Sequence, residues 1–342
     1  MSIVIAILVF GLIIMIHELG HFIAAKLSGV TVYRFSIGFG PAILKKEYKG
    51  TLYALRLLPL GGSVAMKGEY DEEGNEVGNE EGSFNAAPLH SRFLIAFAGS
   101  LMNFIMGLVI IFILLVPAKS IGTTQISGFA DGFPYQGENG LMAGDTIVKI
   151  NDVHAFIYND ILSGLTLGAG KPYDITVKRN GEKVTLKDIP IEKQEYNGKL
   201  LYGLSFEVKE ATAGMKVSYG FRNTASFVQS VTLGLKQIVQ GKVGRNDMMG
   251  TVGIANEISE RAKTSALDLW YFVAFLAINL SVMNLLPIPA LDGGKILFLL
   301  IEAIRRKPVP PKYEGIVQMA GFVLLIGLFI FITYNDIARL LA

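Results

Sequence analysis

Four long apolar stretches dominate the pattern of hydrophobic and polar positions along this chain. They cover residues 1–28, 93–118, 265–295 and 316–342. Each is long enough to cross a bilayer as an α-helix, which takes about 20 mostly apolar residues. The second and fourth stretches carry few polar residues, whereas the first and third contain ionisable side chains. Because such side chains are costly in lipid, the first and third stretches are where we expect function.

Residues 29–92, between the first two stretches, predict β-structure. From Val32 to Met66, β-branched and aromatic residues alternate with small or polar ones, and Lys49-Gly50 is a turn signal. We interpret residues 29–92 as a β-loop region on the cytoplasmic side of the membrane. A small sheet without any catalytic role explains this pattern as well as a functional one does.

The long segment between the second and third stretches predicts a separate α+β domain followed by helices. Residues 119–210 contain turns, short alternating strands and an Asn180-Gly181 hairpin signal. Within them, NGLMAGDTIVKINDV at 139–153 resembles the PDZ pattern, in which a Gly-Asp turn leads into a short strand. Residues 211–264 repeat apolar positions at helical spacing. These linker helices either lie on the outer leaflet or pack against the domain.

Composition agrees with a membrane protein and excludes several classes of function. Of 342 residues, 51% are hydrophobic and 18% are charged, against about 25% charged in typical soluble domains. The net charge of +2 gives no argument for a nucleic acid partner. The absence of cysteine excludes disulfides, thiolate metal ligands and a cysteine nucleophile. We predict a polytopic α-helical membrane protein with four transmembrane helices, a membrane-associated β-loop region and one inserted PDZ-like α+β domain.

The distribution of Lys and Arg predicts the orientation of the chain. Both connecting regions, 29–92 and the loop 296–315, are basic and should face the cytoplasm. Both termini and the PDZ-like domain should then be extracytoplasmic, in a multi-pass protein of the inner (plasma) membrane. No Lys or Arg precedes Lys26, so the first stretch lacks the basic start of a cleaved signal peptide.

The first apolar stretch contains the signature HELGH at residues 17–21. Residues i and i+4 share a face of a helix, so His17 and His21 can bind one Zn²⁺ ion, with Glu18 beside them as a general base. The alternative is a chance pair in a polar helix patch. His and Glu at membrane depth are expensive unless they are used, which favours the metal.

A catalytic zinc site needs a third protein ligand. With no cysteine available, that ligand is a histidine or a carboxylate. His90 falls in a basic loop and His154 in the outward region, whereas Asp292 follows two prolines in the third stretch. At 1.5 Å per residue, His17 lies about 24 Å below the N-terminus, near the cytoplasmic side where the third stretch also ends. Asp292 is the outstanding candidate, with a helix-cap or loop carboxylate as the alternative.

Pro287 and Pro289 predict a break in the third stretch. An unwound segment at membrane depth is tolerated where it lines a cavity, and its backbone groups can then meet an extended peptide. Asn279 and Asn284 lie beside this break. Their side chains could hold a substrate backbone or simply bond across helices, and the chemistry leaves both open.

HELGH at 17–21 and NLLPIPALDGG at 284–294 resemble the paired motifs of the site-2 protease family of intramembrane metalloproteases. The resemblance is to the bacterial regulator-of-sigma-E protease type with one PDZ domain, and it covers nearly the whole chain. One departure is Ala98-Gly99-Ser100, where the family often has Ala-Gly-Pro.

The resemblance implies the roles of individual residues. It implies that His17, His21 and Asp292 bind Zn²⁺ and that Glu18 is the general base. It also implies that the β-loop region dips into the membrane and presents an edge to substrate. The residues implied to contact substrate are Asn279, Asn284, Gly61 and Gly62.

The resemblance also implies the reaction. Single-span membrane proteins, such as anti-sigma factors or remnant signal peptides, would be cleaved within the membrane in regulated intramembrane proteolysis. The PDZ-like domain would either bind peptide ends or exclude bulky substrate ectodomains, and the absence of an evident carboxylate-binding loop near residues 121–133 favours exclusion. A metal transporter would need ionisable residues along a whole pathway, and the second and fourth stretches offer almost none. A membrane-anchored scaffold would not need HELGH.

Overall fold

The chain folds into two compact units. One unit consists of residues 1–110 and 234–342, and the other of residues 111–233. The structure is a computed structural model, and it describes residues 2–68, 80–196, 199–242, 244 and 249–341.

The described residues form eight helices and ten strands, and the helices contain most of these residues. The helices are α1 (Ser2–Leu27), α2 (Leu89–Leu115), α3 (Tyr158–Leu167), α4 (Ala213–Val239), α5 (Thr251–Thr264), α6 (Ala266–Asn284), α7 (Asp292–Arg305) and α8 (Pro311–Leu341). The strands are β1 (Val32–Tyr48), β2 (Thr51–Met66), β3 (Ser120–Phe129), β4 (Thr146–Ile150), β5 (Val153–His154), β6 (Tyr173–Arg179), β7 (Glu182–Ile189), β8 (Gln194–Tyr196), β9 (Lys199–Leu201) and β10 (Leu204–Glu210).

Four helices in the described part of the chain are long and apolar enough to cross a membrane. They are α1, α2, α6 and α8, which confirms the four predicted membrane-length stretches. A helix satisfies its backbone hydrogen bonds internally, as a segment in hydrocarbon must. Only 6% of the membrane-length window of α8 is buried inside the protein, so most of this helix lies on the outside of the protein.

The third predicted stretch is shorter than its predicted range of 265–295. Helix α6 ends at Asn284, and the chain is irregular through the two prolines until α7 begins at Asp292. The prediction of a loop over residues 296–315 is wrong for its first ten residues, which belong to α7. The reason is that ILFLLIEAI, which follows Lys295, repeats apolar residues at helical spacing.

The β-loop region is a folded hairpin, as predicted. Lys49 and Gly50 both have positive φ angles, of 48° and 72°, which is the turn that matches the twist of paired strands. The strands also double back, so that the first half of β1 lies between the two halves of β2. Arg34 shows this, since it is paired with Leu52 on one side and with Ala65 on the other. The segment 62–66 therefore forms one edge of this small sheet.

The second unit is built on a sheet with the strand order β10-β3-β4-β6-β7, to which β5 adds beside β4. The predicted Asn180-Gly181 turn joins β6 to β7, with φ angles of 50° and 93°. Its core contains fully buried side chains from the strands and from α3, among them Ile147, Ile161 and Ile175. The unit is thus an α+β domain between two membrane-length helices in sequence.

Helix α4 buries a polar face. Its buried residues include Asn223, Thr224 and Ser226, whereas Phe221 and Val239 are 56% and 87% exposed. The helical prediction over this segment is confirmed. The helix packs against the α+β domain, since Ser226 Oγ donates a hydrogen bond to Asp160, and an outer-leaflet location for α4 stays a prediction.

Candidate metal centre

Helices α1 and α7 bring three metal-ligating side chains together. His17 and His21 lie one turn apart on α1, and their Nε2 atoms are 3.2 Å from each other. Asp292, the first residue of α7, places Oδ2 3.4 Å from His17 Nε2 and Oδ1 3.4 Å from His21 Nε2. These are the described residues that form a group able to hold a metal ion. The predicted trio is therefore assembled in space, although His21 and Asp292 are 271 positions apart in the sequence.

The donor set fits a zinc ion. Ligand atoms about 2.0–2.2 Å from a tetrahedral Zn²⁺ lie about 3.3–3.5 Å from one another. The three separations of 3.2, 3.4 and 3.4 Å match the edges of such a tetrahedron. Two imidazoles and one carboxylate leave one of four tetrahedral positions for water or substrate, which is the pattern of catalytic zinc sites.

The His21 ring is oriented by a backbone carbonyl. Its Nδ1 atom lies 2.7 Å from the carbonyl oxygen of Ile95. Because a carbonyl only accepts hydrogen bonds, Nδ1 carries the proton and Nε2 keeps its lone pair in the neutral ring. Metal-ligating histidines are commonly fixed by such an outer bond.

Two glycines allow α1 and α2 to approach closely at the metal centre. A Cβ atom at Gly20 would collide with the Ala98 carbonyl and would lie 2.9 Å from Gly99 Cα. A Cβ atom at Gly99 would collide with the His21 ring and would lie 2.8 Å from His17 Cε1. Small residues permit this kind of backbone contact between membrane helices. The role of Gly99 was not predicted, although a glycine inside an apolar helix is a signal for such a contact.

The broken segment between α6 and α7 positions Asp292. A Cβ atom at Gly293 would collide with the carbonyls of Leu285 and Leu286, and one at Gly294 would lie 2.6 Å from the Ile288 oxygen. The glycines of LDGG therefore let the start of α7 fold tightly against the irregular segment. Ala290, whose φ is +72°, donates its N–H to Gln318 Oε1 on α8.

Glu18 lies in the same cavity as the three ligands. The cavity is about 450 Å³, and His17, Glu18, His21 and Asp292 all line it. A Cβ atom at Gly62 would lie 2.6 Å from Glu18 Cγ, so β2 passes directly against this carboxylate side chain. The geometry suits a carboxylate that exchanges protons with groups in the cavity.

Some of the other predicted residues line this cavity, and others lie outside its lining. Asn284, the last residue of α6, lines it, as do Ser63 and Val64 directly after the Gly61-Gly62 pair. Asn279 is half-buried on α6 and is not among the described residues that line it. His90 and His154 are both exposed, and neither belongs to the metal-binding group.

Several cavity residues were not predicted from the sequence. Lys295, Glu314 and Gln318 contribute polar groups to its wall. Ser100 is fully buried, and its hydroxyl donates a hydrogen bond of 3.1 Å to Asp292 Oδ2. Ser100 stands where the related family often has proline, so the departure noted in the sequence adds a donor to the metal centre.

A His-His-Asp group able to hold a metal ion, beside a glutamate on a membrane-length helix, is the arrangement expected of an intramembrane zinc metalloprotease. The chain belongs to peptidase family M50, the site-2 protease family, since the family model matches residues 5–328. It is an integral membrane protein, and its cofactor is Zn²⁺.

Curated relatives match the chain over almost its full length. A Clostridium perfringens protein, named as a candidate zinc metalloprotease, is 38% identical over 98% of both chains. A Campylobacter jejuni protein with the same kind of name is 34% identical over 98% of this chain and 93% of its own length. The regulator of sigma-W protease RasP of Bacillus subtilis is 30% identical over 98% of this chain and 97% of its own length.

Proposed function

We propose that His17, His21 and Asp292 are the zinc ligands and that Glu18 is the general base of peptide bond hydrolysis. The observation that carries this proposal is the tetrahedral spacing of the three ligand atoms in a cavity that also contains Glu18. Chance burial of two histidines and an aspartate would not require that spacing.

The chemistry follows from these positions. When bound, zinc supplies a Lewis acid that polarises a peptide carbonyl and activates water. Glu18 takes a proton from the attacking water and delivers it to the leaving amine nitrogen. Asn284, at the end of α6, offers an amide to the substrate backbone inside the same cavity.

We propose that substrate binds as an added strand. Residues 62–66 of β2 form an edge of the hairpin sheet, and Ser63, Val64 and Met66 line the cavity that also contains the proposed zinc ligands. An extended peptide can pair with such a sheet edge through main-chain hydrogen bonds. Strand pairing would hold a membrane helix in the unwound form that hydrolysis requires. Gly62 serves this binding by letting the strand pass close to Glu18, and Gly61, beside it, adopts a positive φ of 91°.

We propose single-span membrane proteins as the substrate class, with anti-sigma factors or remnant signal peptides as examples. The name of the B. subtilis relative, a regulator of sigma-W protease, supports this class. The basic hairpin region supports a cytoplasmic location for the metal centre, with the termini and the α+β domain extracytoplasmic. The α+β domain is proposed to be PDZ-like and to exclude bulky substrate ectodomains. Its alternative role is to bind peptide ends.

The test compares purified wild-type protein with Glu18→Gln and Asp292→Asn variants on a tagged single-span substrate. Glu18→Gln should retain zinc but cleave at least about 10²-fold more slowly, since it keeps its shape and loses the proton-accepting oxygen. Asp292→Asn should retain less zinc, because a neutral amide is a weaker ligand. Metal analysis and gel-based cleavage provide the readouts.

Two results would contradict the proposal. One is a wild-type protein that binds no zinc under conditions in which it is folded. The other is a Glu18→Gln variant that cleaves as fast as wild type.

A further inference from the structure

A second polar contact joins α2 to α7, far from the metal centre. Arg92, in the first turn of α2, forms two hydrogen bonds with Glu302 of α7, at 2.9 Å and 2.5 Å. The two side chains are only 13% and 16% exposed. Paired, two-point contacts between guanidinium and carboxylate are the strong and directional type of ion pair.

The distance along the helix between this ion pair and the Ser100–Asp292 bond is similar on α2 and on α7. Arg92 precedes Ser100 by eight residues, or about 12 Å of helix, and Glu302 follows Asp292 by ten residues, or about 15 Å. The contact between Ser100 and Asp292 is therefore at one end of the α2–α7 contact, and the Arg92–Glu302 pair is at the other.

The metal ligand on α7 stands at the junction between the tightly packed irregular segment and a new helix. Asp292 follows an irregular segment with two prolines and a residue of positive φ, and it is the first residue of its helix. The two histidines, in contrast, lie inside the continuous helix α1. The direction of α7 thus decides where the Asp292 carboxylate lies relative to the imidazoles.

We propose that Arg92, Glu302 and Ser100 are positioning residues that hold Asp292 in the zinc site by fixing α7 to α2 at two points. This inference rests on the proposed role of Asp292 as a zinc ligand. Outer partners of metal ligands typically contribute about 10- to 100-fold to metal affinity. The ion pair acts through α7, and Ser100 acts directly on the ligand oxygen.

The test measures zinc affinity by competition with a chelator for the full protein in detergent. Ser100→Ala should weaken zinc binding about 10- to 100-fold. The double variant Arg92→Leu with Glu302→Leu removes the ion pair without leaving a lone charge, a change that often costs little stability. We expect it to weaken zinc binding about tenfold or more, and to alter the visible absorption of the cobalt-substituted protein.

Controls separate positioning from general stability. Glu260→Gln breaks the exposed Lys263–Glu260 pair within α5, and it should leave zinc affinity unchanged. Thermal unfolding of the metal-free forms should be similar for the double variant and wild type. If the double variant does not fold, Arg92→Gln with Glu302→Gln removes both charges, keeps polar side chains and replaces it in the comparison.

The proposal is overturned if the folded ion-pair variants bind zinc with wild-type affinity and give the wild-type cobalt spectrum. That result differs from failure of the proposed function, in which wild type itself would bind no zinc or Asp292→Asn would bind it normally.

Discussion

The geometry of the metal centre depends on contacts at single residues. The clearest case is Gly99, because both imidazole rings occupy the space that a side chain at this position would fill. The donor spacing follows from three local causes, namely the helical repeat of α1, the proton on His21 Nδ1 and the tight fold before Asp292.

We expect Gly99→Ala to disrupt the metal centre. A Cβ atom there would lie 2.7 Å from His21 Cε1 and 2.8 Å from His17 Cε1, so both rings must shift from their ligating positions. Zinc affinity should fall at least about tenfold, in line with the cost of disturbing groups around a metal ligand. Metal analysis after dialysis against a weak chelator is the measurement.

The matched control for Gly99 is Gly327→Ala. Gly327 is also a glycine in a membrane-length helix, and a Cβ atom there would meet no atom within 4 Å. Normal zinc content in Gly99→Ala would show that the rings tolerate the methyl group and that the close approach is not required.

The sequence was sufficient to predict the three side chains that the fold brings together, but it did not indicate which residues support them. HELGH is conspicuous because histidines at positions i and i+4 of an apolar helix are costly in a membrane unless they bind a metal. Ser100 and Gly99 could not be assigned in the same way, because their roles depend on how far apart α1, α2 and α7 lie. Arg92 and Glu302 are two ordinary charges in the sequence, and only the fold makes them partners.

At the scale of elements, the break between α6 and α7 was predictable and the helix after it was missed. Proline signals the end of a helix through its missing N–H and the strain on the preceding residue. The restart at Asp292 depends on local packing, since the glycines fit against carbonyls of the irregular segment, and the apolar spacing of ILFLLIEAI favours the helix that follows. The doubled hairpin was likewise only partly predictable, because alternation identifies strands but not which half pairs with which.

Helices α3 and α4 are joined by a buried carboxylate with a pH-dependent contribution to stability. Asp160 is 4% exposed, and it accepts hydrogen bonds from Ser226 Oγ at 2.6 Å and from the Ile157 N–H at 2.9 Å. Burial raises the pKa of Asp160 above its ordinary value, more than these bonds lower it. The folded form therefore keeps a proton that the unfolded form releases.

We expect the free energy of unfolding to fall as pH rises from the ordinary carboxyl pKa, about 3.9, through the raised pKa of Asp160. The sign follows because the unfolded state binds fewer protons in this window. Asp160→Asn keeps two polar atoms in place and should lack this part of the pH dependence. Denaturant unfolding of both proteins across a pH series gives the difference, and parallel profiles would contradict the prediction.

On the scale of the whole molecule, the absence of cysteine gives a clean background for testing orientation. Lys46→Cys in β1 and Lys183→Cys in β7 introduce single thiols at exposed positions of the two compact units. A membrane-impermeant maleimide should modify Lys183→Cys in intact cells and Lys46→Cys only after permeabilisation. The unmodified chain is the control, because it has no thiol to react.

The opposite labelling pattern would contradict the proposed orientation, and with it the cytoplasmic location of the metal centre.

Sequence alone was sufficient to predict the four membrane-length helices, because hydrocarbon thickness fixes their length. It could not predict the cavity, because the lining comes from segments as distant as β2 and α8. The α+β domain was predictable as a class from its strands and turns.

The separation of the ligands along the chain has a consequence for biosynthesis. His17 and His21 are made first, whereas Asp292 follows 271 residues after His21 (292 − 21). At about 5–20 residues per second, that interval is on the order of tens of seconds. A growing chain holds only two of the three ligands for that time. With Asp292 as the proposed third ligand, the newly inserted protein is therefore expected to stay inactive until α7 packs beside α1.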